Sequence, residues 1–127
     1  EMLWRTRFQP LAEHGQLRLI DGCVELGETL ACWLTPGHMP GHQSVLIRSR
    51  GRSALFLGDL AILALNMERP EWGPDWAWSR EADRESRRRV AEWAAENDAL
   101  LILGHDPQRP WIKLERAAGG YRALSLL

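Results

Sequence analysis

The sequence predicts an α/β fold, a mainly antiparallel sheet with one covering helix, on three observations. Short β-rich runs separated by turn residues occupy both ends of the chain. Only one stretch, from Ser79 onward, repeats small and apolar residues at helical spacing. Two continuous apolar runs, residues 54–57 and 99–103, end in Gly-Asp and Gly-His-Asp, which reads as buried strands carrying polar groups at their ends. With 127 residues, 45% of them hydrophobic, the chain is long enough for one compact domain over residues 1–127 and not obviously for two.

The elements follow in chain order. "QLRLIDGCVEL" contains two alternating runs, residues 17–20 and 24–26, around Asp21-Gly22, a hairpin signal. "TLACWLT" and "SVLIRS" are strand-like and flank a loop in which Pro-Gly-His occurs twice. "SRGRS" before "ALFLGD" predicts a further hairpin turning through residues 49–53. Residues 60–78 hold Pro70, Gly73 and Pro74 and read as a long loop with at most a helical turn. The helix that follows has Ser79 as N-cap and Glu81 and Asp83 in its positive first turn. Ala82, Ser86, Val90, Trp93 and Ala94 form its narrow inner face. Asp83/Arg87, Glu85/Arg89 and Arg88/Glu92 stand four apart and are expected as pairs on its solvated side. After the strand at 99–103, "WIKLER" and "YRALSL" close the chain around Gly119-Gly120.

Charge removes several function classes. The formal net charge is −1, and the basic run Arg87-Arg88-Arg89 falls inside the helical pattern, so neither nucleic acid nor a membrane surface is an expected partner. No apolar run approaches the ~18 residues of a membrane span. Cys23 and Cys32 lack CxxC spacing, which disfavours a disulfide scaffold and fits two buried free thiols in a reduced, cytoplasmic setting. The chain begins at Glu1 and runs straight into patterned sequence, as a processed or truncated product would.

The chemistry lies at the strand ends. His38, Asp59 and His105 each follow a strand and each is preceded by a glycine, which permits a sharp turn and close approach. Imidazole and carboxylate on loops at one sheet edge suit zinc or a similar divalent ion. Singly, such a histidine is more often a hydrogen-bonded structural residue and such an aspartate a turn former. Their repetition in one local context favours the metal.

In "TPGHMPGH", "FLGD" and "LILGHD", occurring in that order, the chain resembles the C-terminal half of the metallo-β-lactamase superfamily of zinc hydrolases, over roughly residues 17–116. The resemblance implies one sheet and its helix out of an αββα sandwich. It implies two zinc ions, with His38 on one, His105 on the other and Asp59 bridging both as the catalytic carboxylate. His42 is assigned a supporting role behind the ligands, fixing the loop through a ring N–H bond. The tail is most similar to quorum-quenching lactonases and related ester hydrolases. Where some of those carry a tyrosine three residues past the bridging aspartate this chain has Ile62, and where others carry a loop histidine its nearest polar residue is Asn66. Trp72, Trp76 and Trp78 would wall an apolar acyl pocket beside the metals, or simply pack over the sheet edge.

One departure is large. The superfamily's HxHxDH motif, which supplies the remaining ligands, has no counterpart here, and His14 stands alone in "AEHGQ". The expected reaction of an intact relative is opening of a lactone or ester by metal-activated hydroxide. For this chain alone, two protein ligands per metal imply weak or absent metal binding and no turnover. The alternative is a non-catalytic module whose uncovered apolar sheet face serves binding or self-association as a homodimer.

Overall fold

A computed structural model describes residues 2–126. Seven strands form one sheet: β1 (Val24–Glu25), β2 (Leu30–Leu34), β3 (Gln43–Ser49), β4 (Arg52–Phe56), β5 (Leu100–Ile102), β6 (Trp111–Ala117) and β7 (Gly120–Ser125). Their order in the sheet is their order in the chain, and every neighbouring pair is antiparallel except β4 with β5. A parallel pair cannot be closed by a tight turn. The connection from β4 to β5 accordingly carries a 3-10 turn (Gly58–Leu60) and two α-helices, α2 (Ala64–Glu68) and α3 (Arg80–Glu96). At the other extreme, β3 and β4 are joined by Arg50-Gly51, both with positive φ (50° and 74°), as a two-residue hairpin of the primed type requires. Before the sheet, a π-type turn (Trp4–Phe8) runs into the short helix α1 (Gln9–Glu13), neither with a buried residue.

The register gives the sheet two unlike faces. Ala31, Leu46, Leu55, Leu101 and Ile112 align across five strands, and each is 2% exposed or less. They join Val90, Ala91 and Ala94 of α3 and Ala64 and Met67 of α2 in one core. The next line across, Cys32, Val45, Phe56, Ile102 and Trp111, points the other way, as does Leu30, Ile47, Ala54 and Leu100. On that face Leu30 (39%), Phe56 (40%) and Trp111 (47%) stay open to solvent, and no helix of the described residues covers them.

Most predicted elements are present, with Ser79 capping α3 by accepting from the Ala82 N–H at 3.2 Å. Three expectations need correction. Residues 17–20 form no strand: β1 is two residues long and pairs with β2, so the Asp21-Gly22 hairpin does not exist. Cys23 is exposed and only Cys32 is buried, because Cys23 precedes the sheet rather than facing the core. The inner face of α3 is rotated toward Asp83 and Arg87, which form a buried ion pair (1% and 2% exposed) instead of a solvated one. Arg88 pairs with Glu85, and Glu92 with Arg116 of β6.

Leu101 lies at the centre of the covered face. Leu101→Ala should lower unfolding free energy by about 2–5 kcal/mol through lost burial and the cavity left behind. Urea unfolding followed by tryptophan fluorescence measures this, and a loss under about 1 kcal/mol would mean that the core is not where the register puts it.

Candidate metal centre

Strands β2, β4 and β5 run in one direction, because β2 and β4 are each antiparallel to β3 and β4 is parallel to β5. The loops leaving their C-terminal ends therefore share one edge of the sheet. Those loops carry His38, Asp59 and His105.

The three side chains meet. Asp59 Oδ1 lies 2.7 Å from His105 Nε2, and Asp59 Oδ2 lies 3.4 Å from His38 Nε2. One carboxylate thus offers a separate oxygen to each of two imidazoles. The His105 hydrogen bond holds the Asp59 carboxyl below its ordinary value against a smaller opposing effect of burial. Solvent reaches the group: side-chain exposure is 25% for His38, 44% for Asp59 and 51% for His105.

His42 stands behind them. Its Nε2 accepts the Asp59 backbone N–H at 3.0 Å, so the ring proton is on Nδ1. That Nδ1–H is shared between the Thr35 carbonyl (3.0 Å) and the Thr35 hydroxyl (2.9 Å). The Thr35 hydroxyl donates to Ser44 Oγ at 3.0 Å, and Ser44 donates to the Leu57 carbonyl at 3.2 Å. Burial pushes the His42 imidazole below its ordinary range, against the Thr35 hydrogen bond and the Asp59 charge, which keeps it neutral as this bonding pattern demands. Gly58, with φ +57°, lets Asp59 approach: a Cβ there would sit 3.0 Å from His42 Nε2.

The His38 loop is clasped by α3. Ser86 donates to the Pro36 carbonyl at 2.7 Å, Arg89 to the Leu34 carbonyl at 2.5 Å, and the Ser79 N–H to the Gly37 carbonyl at 3.0 Å. Gly37 presses on the helix itself, and a Cβ at that position would lie 2.1 Å from the Asp83 Cα. The His38 carbonyl accepts from the Trp78 N–H at 3.2 Å, which ties the tryptophan loop to the same place.

The His105 loop is held by its neighbour. Asp106, 6% exposed, accepts the Ala64 N–H on Oδ2 at 2.9 Å and those of Gln108 (3.1 Å) and Arg109 (2.9 Å) on Oδ1. It therefore fastens the loop to the start of α2. Burial alone would raise this carboxyl, but the three N–H groups and Arg109 outweigh it and hold the group below its ordinary value. Thr35, Ser44, Asp83 and Asp106 were not singled out for the site by sequence. For Asp106 a signal existed, since an aspartate two residues before a loop N–H often folds an Asx turn.

Of the pocket candidates, Trp78 is tied to the His38 loop by its backbone N–H. Trp72, Trp76 and Trp78 are 55%, 71% and 61% exposed, and Ile62 is half-buried. Asn66 has its amide committed to backbone: Oδ1 accepts from Ile62 and Leu63, and Nδ2 donates to the Trp72 carbonyl.

Among the described residues no group of three or more His, Cys, Asp or Glu is gathered so as to hold a metal by itself. Nitrogen and oxygen ligands on one tetrahedral zinc stand about 3.4 Å apart, the separation of His38 Nε2 and Asp59 Oδ2, which is 3.4 Å. His105 and Asp59 would need to part slightly to admit an ion.

Asp106→Ala, which strands three N–H groups, should cost about 1–3 kcal/mol at pH 7. Because the folded carboxyl titrates below its ordinary 3.8, its contribution is complete above that value and is lost as pH falls through the lower folded one. Thermal unfolding at pH 7 and pH 3 should therefore show a smaller penalty at pH 3. An equal penalty would contradict the ionic part of this account.

No protein-family model matches the chain. N-acyl homoserine lactonase AttM of Rhizobium radiobacter is 32% identical over 93 residues, 73% of this chain and 35% of the relative. The chain thus spans about a third of the length of the curated relatives it matches. Among solved structures, AidC, a dizinc quorum-quenching lactonase, superposes with a TM-score of 0.77 at 18% identity, over 98% of this chain and 47% of AidC. An N-acyl homoserine lactone hydrolase, with N-hexanoyl-L-homoserine at its catalytic metal centre, gives 0.64 at 28% identity, over 72% of this chain and 36% of its own. AbOPH, a hydrolase of the β-lactamase superfamily, gives 0.75 at 22%, over 93% and 41%. The chain has the metallo-β-lactamase fold, and it resembles quorum-quenching lactonases of that superfamily over part of their length.

Proposed function

We propose that this chain is the C-terminal portion of a zinc-dependent hydrolase that opens N-acyl homoserine lactones or related esters. The observation that carries the reading is the Asp59 carboxylate with one oxygen turned to His38 and the other to His105. When bound, a zinc pair supplies a water of lowered pKa and a Lewis acid for the substrate carbonyl oxygen.

The chain's own residues do the rest. His38 and Asp59 would hold one ion, and His105 and Asp59 the other. His42 fixes the Asp59 backbone, and Asp106 fixes the His105 loop. Trp72, Trp76 and Trp78 offer apolar surface to an acyl chain, with Ile62 at the margin and Asn66 holding the loop that carries Trp72. Each metal would then have two protein ligands from this chain, below the three that catalytic zinc keeps. The remaining ligands would come from an HxHxDH-bearing half packed against the uncovered sheet face.

The test compares lactone opening, followed by proton release from N-hexanoyl-homoserine lactone, in two proteins. One is the 127-residue chain alone. The other is the chain joined to the HxHxDH-bearing half of a lactonase relative. Activity only in the joined protein is expected, and Asp59→Asn should reduce it by more than the ~10–100-fold that loss of an outer hydrogen-bond partner costs. Turnover by the chain alone, or a joined protein indifferent to Asp59→Asn, contradicts the proposal.

A second reading, self-association through the open face, is favoured by the exposed Leu30, Phe56 and Trp111. Sedimentation of the chain alone decides it. A dimer dispersed by Phe56→Lys supports this reading, and a monomer at concentrations of ~100 μM, far above typical specific affinities, removes it.

A further inference from the structure

Two buried side-chain polar atoms among the described residues have no hydrogen-bond partner: His38 Nδ1 and Asp83 Oδ1. They are complementary, since a ring nitrogen can donate and a carboxylate oxygen can only accept. The residue before His38 brings the two segments together, Gly37 lying directly against the Asp83 backbone and Cβ. Asp83 is 1% exposed, so its carboxylate has no access to bulk water. Its other oxygen, Oδ2, is taken by Arg87 Nη1, and Arg87 Nε donates to the Pro70 carbonyl at 2.9 Å. The guanidinium is thereby fixed, and it holds the carboxylate with Oδ1 left over.

From this we infer that Asp83 is a positioning residue for His38: its Oδ1 accepts the Nδ1 proton, directly after a small ring rotation or through one water. A proton held on Nδ1 leaves Nε2, the nitrogen facing Asp59 at 3.4 Å, free to bind a metal in the required tautomer. An i, i+4 ion pair on a helix thus does more than hold the fold. It carries orientation from α3 into the His38 loop. The same pair anchors the tryptophan loop, because Gly73 packs on the guanidinium, where a Cβ would lie 2.2 Å from Arg87 Nη2. This inference rests on the reading of His38 as a ligand, and its test separates the two.

The experiment is nitrogen-detected NMR of the histidine rings in the metal-free chain at pH 7.5. In the wild type, His38 Nδ1 should carry a proton that exchanges slowly. A bare Nδ1 there overturns the inference whatever any variant does. The variant D83L/R87M replaces the pair by apolar groups of similar volume, an exchange that buried pairs often tolerate. With circular dichroism unchanged, its His38 should move to the form protonated on Nε2, facing Asp59. Retention of the Nδ1 proton in the folded variant also overturns the inference. Zinc is then added to the wild-type chain joined to an HxHxDH-bearing half: a His38 ring that does not respond there would overturn the ligand reading, while the Nδ1 result would still stand as evidence for the contact with Asp83.

Discussion

Parallel pairing of β4 with β5 cannot be reached by a hairpin, and the long crossover it demands organises the molecule. That crossover supplies α2 and α3, the two helices packed on the sheet. It also makes β2, β4 and β5 run the same way, so that three loops leave the sheet at one edge. Were β5 reversed, His105 would lie at the opposite edge from Asp59 and no carboxylate could face both histidines. The candidate centre is in this sense a consequence of topology before it is a consequence of ligand chemistry.

Topology brings the loops together, and buried polar contacts fix them. Each of the three candidate ligands has a holder beside it or across from it. Asp83 lies behind the His38 loop, His42 bonds the Asp59 backbone, and Asp106 bonds the start of α2 beside His105. Each holder is itself held, Asp83 by Arg87, His42 by Thr35 and Asp106 by three backbone N–H groups, and a bonded group shielded from solvent is stiff. The exposed imidazoles and carboxylate at the edge gain orientation from groups that solvent hardly reaches.

The elements legible in sequence were those set by local patterns. Turn residues marked β3 to β4 and β6 to β7, apolar runs marked β4 and β5, and Ser79 marked the start of α3. The three candidate ligands were legible because glycine and strand ends framed them. What failed was non-local. Asp83/Arg87 has the same spacing whether it faces solvent or a packed loop, and only the approach of Gly37 and Gly73 from elsewhere in the chain buries it. Residues 17–20 alternate like a strand, but no neighbouring strand is there to pair with them. Asp106 was read as part of a strand-end motif, while its partner Ala64 lies far away in sequence.

Zinc-edge anomalous diffraction from crystals of the chain joined to an HxHxDH-bearing half tests the central claim, that Asp59 is shared between two metals. The account predicts two peaks about 3.5–4 Å apart, one beside His38 Nε2 and Asp59 Oδ2 and the other beside His105 Nε2 and Asp59 Oδ1. A single peak, or peaks that do not touch Asp59, would contradict it.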